Sequence, residues 1–107
     1  MSLKYFFEPT NIAVIGASND PGKSGYQIFK NLLELGFRGK VFPRNPKLQE
    51  LFGHKCNASL TDSKELVDLI IISVPAFGVP DIFEAAASRG DVKGAVIIAS
   101  GFAETQI

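Results

Sequence analysis

The stretch GASNDPGKSG, Gly16 to Gly25, gathers the residue types that hold a phosphate. Glycines at Gly16, Gly22 and Gly25 let backbone N–H groups approach an anion closely, Lys23 adds a charge and Ser24 a hydroxyl. An apolar run precedes the turn and a helical period follows it, so the N–H groups and dipole of a helix start would favour a pyrophosphate there. Gly16, Gly22, Gly25, Lys23 and Ser24 are the residues of the turn suited to an anion. Read from Ala17, the stretch fits a relaxed nucleoside-triphosphate pattern, Ala-x-x-x-x-Gly-Lys-Ser. Read from Gly16, it is one residue too long for the strict one. A triphosphate site also needs a carboxylate at the end of a neighbouring apolar strand to hold magnesium. The available strand ends carry Ser73, Val74 and Pro75, and Ser100 and Gly101, while Asp68 stands at the opposite end of its run. ATP hydrolysis by this chain is therefore not expected.

A dinucleotide site meets a different obstacle. Such sites place Asp or Glu at the end of the second strand to bind the ribose hydroxyls. Here that strand ends in Arg44, Asn45, Pro46 and Lys47. Two cations in place of a carboxylate would welcome an extra phosphate on the ribose. NADP carries one on the 2′ oxygen and coenzyme A one on the 3′ oxygen, and these residues alone leave both open.

The elements that must position the turn follow from periodicity. Apolar runs at 11–17, 39–45, 67–75 and 94–100 read as short buried strands, with Pro43 ending the second, and 55–59 reads as an edge strand. Helical spacing runs from Ser24 through Ile28, Phe29, Leu32, Leu33 and Leu35 to Gly36. A second helix runs from Phe77 to Arg89, with Val79, Ile82, Phe83 and Ala86 on one face and Gly90 as its end. The stretch 48–52 reads as a helical turn, and Thr61 to Leu66 as a brief helix capped by Thr61 or Asp62. Alternating strands and helices predict an α/β, Rossmann-like fold, a parallel sheet of about five strands in order 3-2-1-4-5 with helices on both faces.

A chain of 107 residues with 46% apolar content makes one domain. Its eleven basic and eleven acidic side chains cancel, so neither nucleic acid nor an anionic membrane is expected as a partner. No apolar run approaches the roughly 20 residues that cross a bilayer. One cysteine, Cys56, agrees with a reducing, cytoplasmic setting. The sequence stops soon after its last strand, and it is expected to be the N-terminal part of a longer protein.

FFEPTNIAVIGAS, then NPK, DLIIISVPA and VIIASGFAE, occur in that order between Phe6 and Glu104. Together they resemble the CoA-binding domain that opens ADP-forming acyl-CoA synthetases and is shared with the succinyl-CoA synthetase α subunit. The resemblance implies coenzyme A as ligand. Its phosphates would lie at Gly16, Ala17, Ser18, Lys23 and Ser24, with Asn45 beside them and Lys47 near the adenosine end. Val74, Pro75, Ala76 and Phe77 would contact nucleotide or pantetheine, and Ser100 and Gly101 would lie near the thiol arm. Arg44 replaces a small or apolar residue of the pattern. The resemblance also implies that a phosphohistidine domain and an ATP-grasp domain or subunit supply the catalysis, leaving no catalytic residue and no metal site here. His54 does not match the phosphorylated position, and Cys56, with no histidine base beside it, reads as packing. The rival readings are an NADP-binding oxidoreductase fragment and a stand-alone CoA or nucleotide sensor.

Overall fold

The computed structural model describes residues 11–37, 39–62 and 64–98. Four parallel strands form one sheet in the order β2-β1-β5-β6, from β1 (Asn11–Ile15), β2 (Lys40–Arg44), β5 (Leu69–Ile72) and β6 (Gly94–Ile97). Between β2 and β5 the chain makes a separate antiparallel pair, β3 (Glu50–Leu51) and β4 (His54–Lys55). Helix α1 (Ser24–Glu34) follows β1, and α2 (Val79–Arg89) follows β5.

Both faces of the central strands β1 and β5 are covered, which explains their unbroken apolar runs. Ile12 and Val14 point to one side and join Phe29, Val41, Leu51 and Leu69 under α1. Ala13 and Ile15 point to the other and join Leu60, Val67, Ile70, Ile72 and Ala86 under α2. A register of Ala13 against Phe42 and Ile70 places β1 at the centre, with its carboxyl end at the glycine-rich turn that begins at Gly16.

The expected five-strand order does not form. Segment 55–59 contributes a single parallel bridge, Asn57 to Arg44, in place of a third strand. The cause is Pro43, which lies inside β2 rather than ending it and pairs with Val14. Gly16 donates to the Arg44 carbonyl across β1, whereas Asn45 donates to Asn57 on the other side. By alternation Pro43 therefore faces the outer edge, where it has no N–H to offer, and its carbonyl accepts from the Arg44 guanidinium at 2.8 Å. An incoming strand finds a missing donor at the middle of the edge.

Stretch 48–52 is likewise not helical. Leu51 is buried beneath α1, and the Phe52 ring lies 5.4 Å from Tyr26 and 6.1 Å from Phe29. To reach them the chain turns through Phe52 at φ 49 and Gly53 at φ 80, the paired positive dihedrals of a tight hairpin. The helix expected over Thr61 to Leu66 shrinks to one 3₁₀ turn, Leu60–Asp62. On α2, Phe83 remains 43% exposed while Ala86 is buried, and on α1 Leu35 is 84% exposed at the C-cap. Gly90 closes α2 in the left-handed region as expected.

One ion pair ties the second half together. Arg89 donates through Nε and Nη2 to both oxygens of Asp91, and through Nη1 to the Leu60 carbonyl. Asp91 also accepts from the Val67 N–H at 2.9 Å. These bonds, the Arg89 one foremost, hold the Asp91 carboxyl at about 2 against its ordinary 3.8. A depressed folded value means stability present above pH 3.8 and lost as pH falls toward 2. Asp91→Asn is expected to cost roughly 1–2 kcal/mol at pH 7. In urea melts across pH the gap to the parent should close through that acid window, and a gap constant from pH 7 to pH 2 would assign the loss to packing.

Candidate functional site

The ends of β1 and β5 and the start of α1 converge on one cleft of ≈ 400 Å³. It brings Gly16, Lys23 and Ser24 of the first turn together with Ser73, Val74 and Pro75. Gly16 has φ +90, and a Cβ there would stand 2.1 Å from the Ser73 carbonyl oxygen. A Cβ on Gly25 would stand 1.9 Å from the Gly16 oxygen. Both glycines are thus required by close backbone crossings as well as by room for a ligand.

The loop between them is shaped locally. The Asp20 N–H donates to Ser18 Oγ, and Asp20 accepts from the Gly22 N–H through Oδ1 and from the Lys23 N–H through its carbonyl. Lys23 then occupies the N-cap of α1, where a Ser, Thr, Asp or Asn usually accepts from the first helical N–H groups. A lysine has no acceptor, so the helix start offers its N–H groups and dipole outward beside an exposed ammonium. An oxyanion is the natural complement.

The remaining expected residues divide clearly. Ala17 is fully buried and Ser18 nearly so, and they shape the turn. Asn45 joins the loops after β1 and β2: Nδ2 donates to the Ala17 carbonyl at 2.8 Å, and Oδ1 accepts from the Lys47 N–H at 2.8 Å. Its amide is engaged in holding the two loops. Lys47 is exposed beyond it. Arg44, grouped with Lys47 on sequence grounds, turns inward instead. It is 1% exposed with its guanidinium 5.4 Å from the Phe42 ring, so it is not a cation of the cleft rim. Val74 and Pro75 line the cleft. The 3₁₀ turn Ala76–Gly78 follows them, and Phe77 stands 86% exposed, which removes core packing as its role. Ser100 and Gly101 lie outside the described residues.

Ser73 is the residue that sequence reasoning passed over, noted only as a strand end lacking a carboxylate. Its Oγ lies 2.5 Å from Ser24 Oγ. A small polar residue ending a buried strand opposite a glycine turn was the available signal.

Asp68, His54 and Cys56 do not line this cleft. Asp68 accepts from the Asn11 N–H at the amino end of the sheet, far from any phosphate at the carboxyl end. His54 sits in β4 with its ring edge-on to Phe29 at 5.7 Å. Cys56 is buried, and burial pushes its thiol up, against the formation of a thiolate. A second cleft of ≈ 440 Å³ runs beside β2 between Leu32, Phe37, Val41 and His54. Its lining holds one glycine, Gly39, and no helix start of the kind that faces the first cleft. Among the described residues, no helix is long and apolar enough to cross a membrane.

Known proteins resemble this chain in both sequence and fold. Residues 10–107 match the CoA binding domain family. The chain is 49% identical over 102 residues to the acetate–CoA ligase [ADP-forming] of Methanocaldococcus jannaschii, covering 95% of this chain and 14% of that one. It is 50% identical over 103 residues to the α subunit of acetate–CoA ligase [ADP-forming] II of Pyrococcus furiosus, covering 96% and 22%. The solved structure of the dinucleotide forming acetyl-coenzyme A synthetase 1 of Ca. Korarchaeum cryptofilum, in complex with phosphate and ADP, superposes with a TM-score of 0.88. Identity there is 47%, over 98% of this chain and 22% of that one. The chain therefore spans less than a quarter of the length of these relatives. It belongs to the CoA binding domain family.

Proposed function

We propose that this chain is the CoA-binding module of an ADP-forming acyl-CoA synthetase of the acetate–CoA ligase type. The observation that carries the reading is the glycine cradle between the ends of β1 and β5, closed by a helix whose N-cap is a lysine. A pyrophosphate fits there because the N–H groups are unblocked and no carboxylate at the end of β2 reads free ribose hydroxyls. Lys47 meets the 3′-phosphate of the adenosine. The turn Val74 to Phe77 lies along the nucleotide or pantetheine, and the stretch from Ser100 to Gly101 lies near the thiol.

In this role the module is the N-terminal part of a longer cytoplasmic protein and carries no catalytic residue of its own. It holds CoA so that the thiolate sulfur attacks the carbonyl carbon of an acyl phosphate, forming the C–S bond as the bond to phosphate breaks. A phosphohistidine domain and an ATP-grasp domain or subunit generate that acyl phosphate. The coverage of 14–22% of the ligase relatives supports a division of labour of this kind.

Titration calorimetry with CoA, NADP and NAD tests the reading. CoA should bind most tightly. Lys47→Ala should weaken CoA by roughly 1.5–3 kcal/mol, the cost of a lost charge-assisted contact, and leave dephospho-CoA nearly unchanged. Tighter binding of NADP than of CoA would move the chain to an oxidoreductase, and equal losses for both CoA forms would remove Lys47 from the phosphate.

A further inference from the structure

Ser73 is held by its backbone on both sides. Its N–H donates to the Ile15 carbonyl at 2.7 Å, at the end of β1. Its own carbonyl closes on the face of Gly16, where no Cβ can stand. Only the side chain is left to vary, and it crosses the cleft to Ser24, the first residue of α1, with 2.5 Å between the two oxygens. The two hydroxyls are half-buried, and among the described residues they bond only to each other. A pair of hydroxyls carries two protons, and the bond between them uses one. The other is free to leave the pair toward the cleft they line together.

Resting on the assignment of this cleft to the CoA pyrophosphate, we infer that Ser73 is a further specificity-determining residue, acting through Ser24. The Ser73 hydroxyl donates to Ser24 Oγ, and the Ser24 hydroxyl donates to a phosphate oxygen. Donors in a chain polarise one another, so Ser24 is a stronger donor to an anion than a lone serine. Its rotamer is also set before the ligand arrives, which lowers the ordering cost of binding. The ligand class selected is a diphosphate ester, whose anionic oxygens accept and never donate. A neutral alcohol or amide oxygen at that point accepts the same bond without a charge behind it, so it gains less from the chain than an anionic phosphate oxygen does.

The test is a double-mutant cycle on the full chain, read by calorimetry with CoA, dephospho-CoA and pantetheine. Ser73→Ala should weaken CoA and dephospho-CoA alike by roughly three- to tenfold, the range of one neutral hydrogen bond, without affecting pantetheine. Ser73→Thr, which restores the hydroxyl, should return affinity to within about twofold. Added to Ser24→Ala, the Ser73→Ala change should cost nothing further, because its effect passes through Ser24. Full additivity of the two losses overturns the inference, as does CoA binding that Ser73→Ala leaves unchanged. Equal weakening of pantetheine assigns Ser73 to the fold alone and overturns it as well. Should Ser73→Ala lower the melting temperature, the Ser73→Thr and pantetheine comparisons still decide. Failure of the parent chain to bind CoA at all overturns the assignment of the cleft first, and that outcome is separate from the others.

Discussion

Replacing Gly16 by alanine is expected to abolish measurable CoA binding and to destabilise the fold by roughly 2–5 kcal/mol. Two costs add. The residue sits at φ +90, where a Cβ strains the backbone by about 1–2 kcal/mol. The new methyl also stands 2.1 Å from the Ser73 oxygen and 2.8 Å from its carbonyl carbon. Those atoms are backbone, fixed by the Ser73 bond to Ile15, so relief requires β1 and β5 to part at their carboxyl ends. Overpacking of this kind adds roughly 1–3 kcal/mol. Parting those ends also displaces Ser24 from Ser73 and opens the cradle, which is why binding falls further than stability. Gly36→Ala is the control. That glycine has φ +75 with nothing within 4 Å of the added Cβ, so it carries the strain alone, about 1 kcal/mol, and leaves CoA affinity intact. Urea denaturation and calorimetry on the two variants read both quantities. Matching losses in the two would show that the close crossing at Gly16 does not matter.

Phe29→Ala should produce the largest stability loss in the chain, roughly 3–5 kcal/mol. The ring has no exposure and lies where α1 meets the sheet, among Ile12, Val14, Val41 and Leu69. It also supports the hairpin, with Phe52 stacked at 6.1 Å and His54 edge-on at 5.7 Å. Truncation therefore leaves a void in three layers at once, the sheet, the helix and the β3–β4 pair. Removing the outer partner alone, Phe52→Ala, should cost much less, because that ring is 43% exposed and its residue gains nothing from its left-handed backbone. Chemical denaturation resolves the difference. A loss below about 1 kcal/mol for Phe29→Ala would mean that the core collapses around the gap and that the hairpin is held by other contacts.

Much of the sheet and the central turn were legible from neighbouring residues alone. The runs around Val14 and Ile71 are apolar and β-branched because both faces of a central parallel strand are buried, and that signal needs no distant partner, whereas Val96 and Ile97 on the edge strand β6 are 38% and 43% exposed. The start of α1 at Ser24 and the end of α2 at Gly90 follow from local period and from one residue's freedom at positive φ. That Gly16, Lys23 and Ser24 share the turn after β1 could be read for the same reason, since backbone approach, charge and hydroxyl are properties of the segment itself.

Other features were decided only when distant segments met. Leu48 to Phe52 carries a helical spacing, yet the burial of Leu51 and the rings of Tyr26 and Phe29 draw it into a hairpin, and packing outweighs a propensity worth tenths of a kcal/mol per residue. Pro43 looked like a strand end, whereas its place on the open edge lets it stay within β2 and keeps a third strand off. Arg44 and Lys47, three residues apart and alike in charge, part company because β2 turns one inward onto Phe42 and the loop leaves the other in solvent. The Ser24–Ser73 pair spans forty-nine positions of sequence. Spacing along the chain holds no record of such a contact. It exists because parallel strands bring the carboxyl ends of β1 and β5 side by side, and there the cleft is built.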